Sequence, residues 1–175
     1  MNETTDSDRR FPPALADLAG TDIDHADGTG IDFEPYDAFA PAEETTDWLR
    51  SWTGDEGLDG AAYRVFGQDG TGGLAALWCV RPGRPLEEQP VVFLGSEGAA
   101  GVVAGGLSDF LWLLAAGVGP MEAVEYGATT GRPDPALVRL AERHATTPRR
   151  PAGEIVAAAR AEFPGYADDI AALCR

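Results

Sequence analysis

Two apolar runs, each hinged on a tight glycine-rich turn, constrain this chain more than anything else in its sequence. The first is RVFGQDGTGGLAALW at residues 64–78, and the second is QPVVFLGSEGAAGVVAGGLSDFLWLLAAGVGPMEAV at residues 89–124. In the first, Leu74, Ala76, Trp78 and Val80 alternate with Ala75, Leu77 and Cys79, and a period of two is the signature of a strand. Both sets are apolar, so this strand is expected at the centre of a sheet, covered on both faces. Tyr63–Phe66 precedes it across GQDGTGG, which reads as a hairpin. Val91–Leu94 and Val102–Ala104 read as a second strand pair around GSEGAAG. Gly67, Asp69, Gly70, Gly72 and Gly73 in the first turn, with Gly95 and Gly98 in the second, are read as structural, because glycine supplies the positive φ such turns require.

Helix signals lie on both sides of this central block. Leu107–Ala116 is apolar nearly all round and is expected as a helix buried on the sheet, with Ser108 as N-cap and Asp109 at its positive end. PAEETTDWLRSWTG at 41–54 opens on Pro41, carries Glu43 and Glu44 in its first turn and stops at Gly54, with Trp48, Leu49 and Trp52 on one face. A short helix is expected in ALADLAG after Pro12 and Pro13, closed by Gly20, and a strand near Ile31–Phe33. Residues 133–145 form an amphipathic pattern with Leu137, Leu140, Ala141 and His144 on one stripe. Residues 151–174 read as two helices broken at Pro164 and Gly165, the last with Tyr166, Ile170, Leu173 and Cys174 on one face. RPGRPLEEQP at 81–90 reads as a long exposed turn, and residues 1–10 as disordered. The expected class is α+β, a central and mainly antiparallel sheet flanked by helices. The expected organisation is a single domain over residues 11–175 with a helical C-terminal tail from residue 127, a length that buries roughly 70% of the unfolded surface.

Charge is distributed unevenly. Residues 1–60 hold 16 acidic residues against three arginines, whereas residues 61–175 hold 13 against ten. Such a field repels nucleic acid and raises the encounter rate with basic partners. Asp32, Glu34, Asp37, Glu43, Glu44, Asp47, Asp55, Glu56 and Asp59 crowd around Tyr36, Trp48 and Trp52. From this set Asp37, Glu43, Glu44, Asp47, Trp48, Asp55 and Glu56 are the candidate partner-binding residues. Anchoring of Trp48 and Trp52 in the core is the competing reading for those two side chains.

Catalytic signals fail on inspection. All 13 basic residues are arginine, which rules out a P-loop and a Schiff base. GQDGTGG leads into a strand, so no helix dipole stands behind it to bind phosphate. Ser96 in LGSEG lacks the glycine a nucleophile elbow needs at Leu94. His25 falls in a loop, and His144 is placed to meet the last carbonyls of its helix. DIDHADGTGIDFE at 22–34 puts Asp27 and Phe33 where a calcium loop needs glycine and glutamate, so a solvated acidic loop is expected there, with a weakly bound divalent cation as the alternative. Neither a zinc spacing nor a basic, aromatic-interleaved surface is present. No catalytic residue, cofactor or metal site is therefore assigned. Cys79 and Cys174 are too few for a disulfide framework. The polar N-terminus lacks the core of a signal peptide, and Leu107–Val118, interrupted by Asp109, falls far short of the roughly 20 residues of a membrane span, so a cytoplasmic protein is expected.

Across residues 40–126, FGQDGTGGLAALW, the proline-led strand PVVFLGSEG and the helix LSDFLWLLA followed by GVGPMEAV make the chain resemble the SMI1/KNR4 (SUKH) family. The resemblance implies an α+β sheet with flanking helices and, in bacteria, an immunity role: stoichiometric binding of a cognate polymorphic toxin. The partner so implied is a basic protein toxin, such as a nuclease, with neither nucleic acid nor membrane as target. An intracellular adaptor or regulatory protein on the same scaffold is the alternative, and a small enzyme with an unrecognised site comes third.

Overall fold

β3 (Leu74–Trp78) lies at the centre of a five-stranded antiparallel sheet of order β1-β2-β3-β4-β5. Its neighbours are β2 (Tyr63–Gln68) and β4 (Val91–Leu94), with β1 (Glu34–Pro35) and β5 (Ala100–Ala104) at the edges. The computed structural model describes residues 10–25, 30–127 and 131–174. Most of the segment read as disordered, and residues 26–29 of the acidic loop, lie outside them. Among the described residues seven α-helices accompany the sheet: α1 (Pro13–Ala19), α2 (Ala42–Thr53), α3 (Leu107–Ala115), α4 (Pro120–Glu125), α5 (Pro135–His144), α6 (Ala152–Glu162) and α7 (Tyr166–Leu173). The α+β class with an antiparallel sheet is thus as expected. Among the described residues no helix is long and apolar enough to cross a membrane.

The two-residue alternation of β3 sorts the core into two layers. Ala75, Leu77, Val91, Phe93 and Val103 face a large cluster completed by α1, α3, α5 and the start of α6. Leu74, Ala76, Val92, Leu94 and Val102 face a smaller one, closed by Leu49 of α2, Ala159 of α6, and Tyr166 and Ile170 of α7. A bulge in β2 gives Phe66 no partner opposite, between the pairs Val65–Ala76 and Gly67–Ala75. Its ring turns into the larger layer and meets Phe33 and Phe110 edge-on, at 6.1 and 5.4 Å. α3 is the buried helix expected, with Phe110, Leu113 and Leu114 fully enclosed.

Several expectations need correction. Ile31 and Phe33 are buried but form no ladder; pairing begins at Glu34 and Pro35, and a proline is tolerated because this is an edge. Gly106, not Ser108, occupies the N-cap of α3, and the Ser108 hydroxyl instead accepts from the Thr146 backbone N–H at 2.9 Å. Within residues 81–90, Leu86 and Gln89 are buried; the Gln89 amide bonds the Arg81 N–H and the Arg81 and Arg84 carbonyls and so closes the turn on itself. On α7, Tyr166 and Ile170 are buried, whereas Leu173 and Cys174 are exposed, because only the first two turns lie on the sheet. The helices after residue 127 are no tail. α5 packs on α3, while α6 and α7 cover β5, so both core layers depend on them.

Candidate functional site

α2 sorts its residues into three stripes. Thr45, Leu49 and Thr53 are buried against the sheet; Glu44 and Trp48 stand one turn apart at its margin; Glu43 and Asp47 face outward. Pro41 sets the entry, and the Gly54 N–H closes the helix on the Arg50 carbonyl at a φ of 75°. Glu43, Glu44, Asp47, Asp37 and Glu56 are exposed, and among the described residues none of their carboxylates has an ion-pair or hydrogen-bond partner. Asp55 is different. It is half-buried, and its carboxylate accepts the Gly57 N–H at 2.9 Å, so it shapes the turn after α2.

The two glycine turns lie at the same end of the sheet; α2 bonds the second turn, and the second bonds the first. The Trp52 indole donates to the Gly95 carbonyl at 2.8 Å, and the Ser96 hydroxyl donates to that of Thr71 at 2.9 Å. Within the first turn, the buried Asp69 accepts from the backbone N–H groups of Thr71 and Gly73 and from the Thr71 hydroxyl, while Asp32 accepts from Gly70. Gly72 has a φ of 90° and Gly98 one of 102°, as expected of the turn glycines. Gly67, Gly73 and Gly95 have a different reason to be glycine, since a Cβ would lie 2.4 Å from the Phe33 ring, 2.7 Å from the Phe93 ring and 2.8 Å from the Ala99 carbonyl respectively.

Trp48 and Trp52 stack at 5.1 Å and both are half-buried against the smaller core layer. Beside them a cleft of about 360 Å³ opens between α2 and the β2–β3 hairpin, lined by Tyr36, Glu44, Trp48, Gln68, Gly72 and Leu74 among others. The Tyr36 hydroxyl donates to Gln68 Oε1 at 2.9 Å, and Gln68 Nε2 donates to Glu34 at 3.2 Å. Burial raises the pKa of the Tyr36 phenol, and the nearby Glu34 and Glu44 carboxylates raise it further. Gln68 was not singled out from the sequence. No local signal could have found it, because three separate segments build the cleft.

Two other concavities lie elsewhere on the fold, and the first is internally matched. One of about 420 Å³ is lined by Arg81, Arg84 and Arg150, which pair with Glu162, Glu88 and Asp109 at 2.5, 3.1 and 2.5 Å. The other, about 490 Å³, is lined by His25, Asp32, Glu122 and Tyr126. There His25 Nδ1 meets the Ile31 carbonyl at 2.8 Å, and Glu122 Oε1 accepts the Asp32 N–H at 2.7 Å. Among the described residues Glu122 Oε2 is buried with no hydrogen-bond partner, and burial holds the carboxyl above its ordinary pKa against the pull of the Asp32 bond. His144 does not bond the end of its helix. Its Nε2 meets Asp17 of α1 at 2.5 Å, where Arg143 also pairs at 3.1 Å. Among the described residues no group of three or more histidine, cysteine or acidic side chains is placed to hold a metal ion.

No protein-family model matches the chain, no curated protein matches its sequence, and no solved structure matches its fold.

Proposed function

We propose that this protein is a non-enzymatic binding protein, an immunity protein of the SMI1/KNR4 kind that neutralises a basic protein toxin by stoichiometric contact through the acidic face of α2. The observation that carries the proposal is the exposure of Glu43, Glu44 and Asp47, without partners among the described residues, beside the half-buried Trp48. Like charges four residues apart, such as Glu43 and Asp47, cost a helix about 0.2–0.5 kcal/mol. A cationic partner removes that cost. Carboxylates on the rim steer a basic protein inward, and an aromatic at the centre supplies area that excludes water. The SMI1/KNR4-like motifs of residues 40–126 supply the immunity role, with binding in place of chemistry.

The experiment is co-expression with the product of each toxin-like reading frame found beside the gene, the proposal requiring that one be present. This chain restores growth and purifies as a stoichiometric complex with that product, and the variant Glu43→Arg, Glu44→Arg, Asp47→Arg does neither while remaining folded. Full protection by the triple variant contradicts the acidic face as the contact surface.

A further inference from the structure

We infer that the cleft between α2 and the β2–β3 hairpin is a receptor for one arginine side chain of the partner, held between the Trp48 indole, the Tyr36 ring and the Glu44 carboxylate. The inference rests on the acidic-face reading and specifies the chemistry at its centre. Trp52 stacks on the Trp48 indole, and Trp48 itself lines the cleft. Glu44 stands one helical turn from Trp48 on the same wall. Across the cleft, the Tyr36 proton is committed to Gln68 Oε1 and a Gln68 amide proton to Glu34, so both oxygens retain lone pairs. A π surface flanked by oxygen acceptors and an unpaired carboxylate suits a cation. An anion meets repulsion there, and an apolar group leaves Glu44 desolvated without a partner. Of the two cationic side chains, the planar and weakly hydrated guanidinium stacks on an indole and forks to a carboxylate at once, which an ammonium cannot do. At about 360 Å³ the cleft sits at the small end of the range for ligand pockets, which fits one inserted side chain.

The test is an amide and indole NMR titration of the full chain with N-acetyl-arginine amide. Its uncharged isostere N-acetyl-citrulline amide and N-acetyl-lysine amide are titrated in parallel. The arginine probe moves the Trp48 indole and Gln68 side-chain resonances saturably. The citrulline probe binds about tenfold more weakly, since it lacks both the cation–π contact and the charged hydrogen bond, and the lysine probe about two- to fivefold more weakly. Glu44→Gln, which alters one exposed side chain, weakens the arginine probe and leaves the remaining spectrum in place. Equal binding of arginine and citrulline probes, or shifts confined to other tryptophans, overturns the receptor; equal binding of the lysine probe overturns the choice of guanidinium. A hexa-arginine peptide separates this inference from the acidic-face reading. If it binds in a salt-sensitive way without moving Trp48 or Gln68, the cleft is wrong and the acidic face stands. If it does not bind, both fall.

Discussion

The hydroxyls of Tyr63 and Tyr166 lie 3.0 Å apart, both buried, and join β2 to α7 across 103 residues of chain. Burial pushes the Tyr63 phenol above its ordinary range and Tyr166 further still, so both are neutral at neutral pH. Tyr166→Phe leaves the Tyr63 hydroxyl buried and unpaired, with an expected cost of about 1–3 kcal/mol. The double variant Tyr63→Phe, Tyr166→Phe removes both polar atoms and recovers much of that loss. Urea unfolding of the four proteins checks the coupling. Strict additivity of the two single changes shows that the bond contributes nothing.

Leu114 is fully enclosed in the larger core layer, and truncating it leaves a cavity that surrounding side chains only partly fill. Leu114→Ala is expected to cost about 2–5 kcal/mol by denaturant unfolding. A loss under about 1 kcal/mol places this face of α3 outside the core.

Gly72 and Gly73 fail for different reasons when replaced by valine. Gly72→Val must hold a β-branched residue at a φ of 90°, with nothing crowding the side chain, at a cost of about 1–3 kcal/mol. Gly73→Val drives a Cβ to 2.7 Å from the Phe93 ring, an overpacking of similar size. Both variants melt below wild type. A variant that melts like wild type yet loses partner binding makes the turn a recognition element.

Two carboxyls tilt stability with pH in opposite senses. The hydrogen bond to His144, and then that to Arg143, holds Asp17 below its ordinary 3.8. The stability it contributes is therefore present above that value and lost as pH falls through the lowered pKa of the folded state. Glu122 is raised above its ordinary 4.5 by burial, so its contribution is full below that value and lost as pH rises through the raised pKa. Glu122→Gln keeps an oxygen for the Asp32 N–H and removes the buried charge. It is expected to raise the melting temperature at neutral pH and to change it little near pH ~4. The opposite ordering contradicts the assignment of burial as the cause.

The sheet was legible where one residue type met one period. The alternation through Leu74–Trp78 fixed both faces of β3, and Leu107–Ala115, apolar nearly all round, fixed α3, because burial on almost every side leaves no other pattern. α4 was not foreseen: six residues that follow a glycine and open on a proline carry too few turns for a periodicity to register. The Asp17–His144 pair is separated by 127 residues, and the Tyr36–Gln68 bond crosses from the β1 side to β2. Contacts of this kind depend on tertiary placement and leave no spacing in the sequence. The acidic face of α2 was legible in its composition, whereas the cleft beside it was not, since Gln68 carries no charge or motif that marks it and Leu74 reads only as a strand residue.

The most direct measurement is the association rate constant between this chain and the captured toxin, followed from about 50 to about 300 mM salt, a range over which the screening length shortens by about 2.5-fold and exposed charges weaken with it. The account predicts a rate that falls steeply with salt for the wild type, and one that is lower and nearly flat for Glu43→Arg, Glu44→Arg, Asp47→Arg, with both proteins equally folded. A rate that ignores salt, or that the triple reversal leaves unchanged, contradicts the claim that the acidic face of α2 receives the partner.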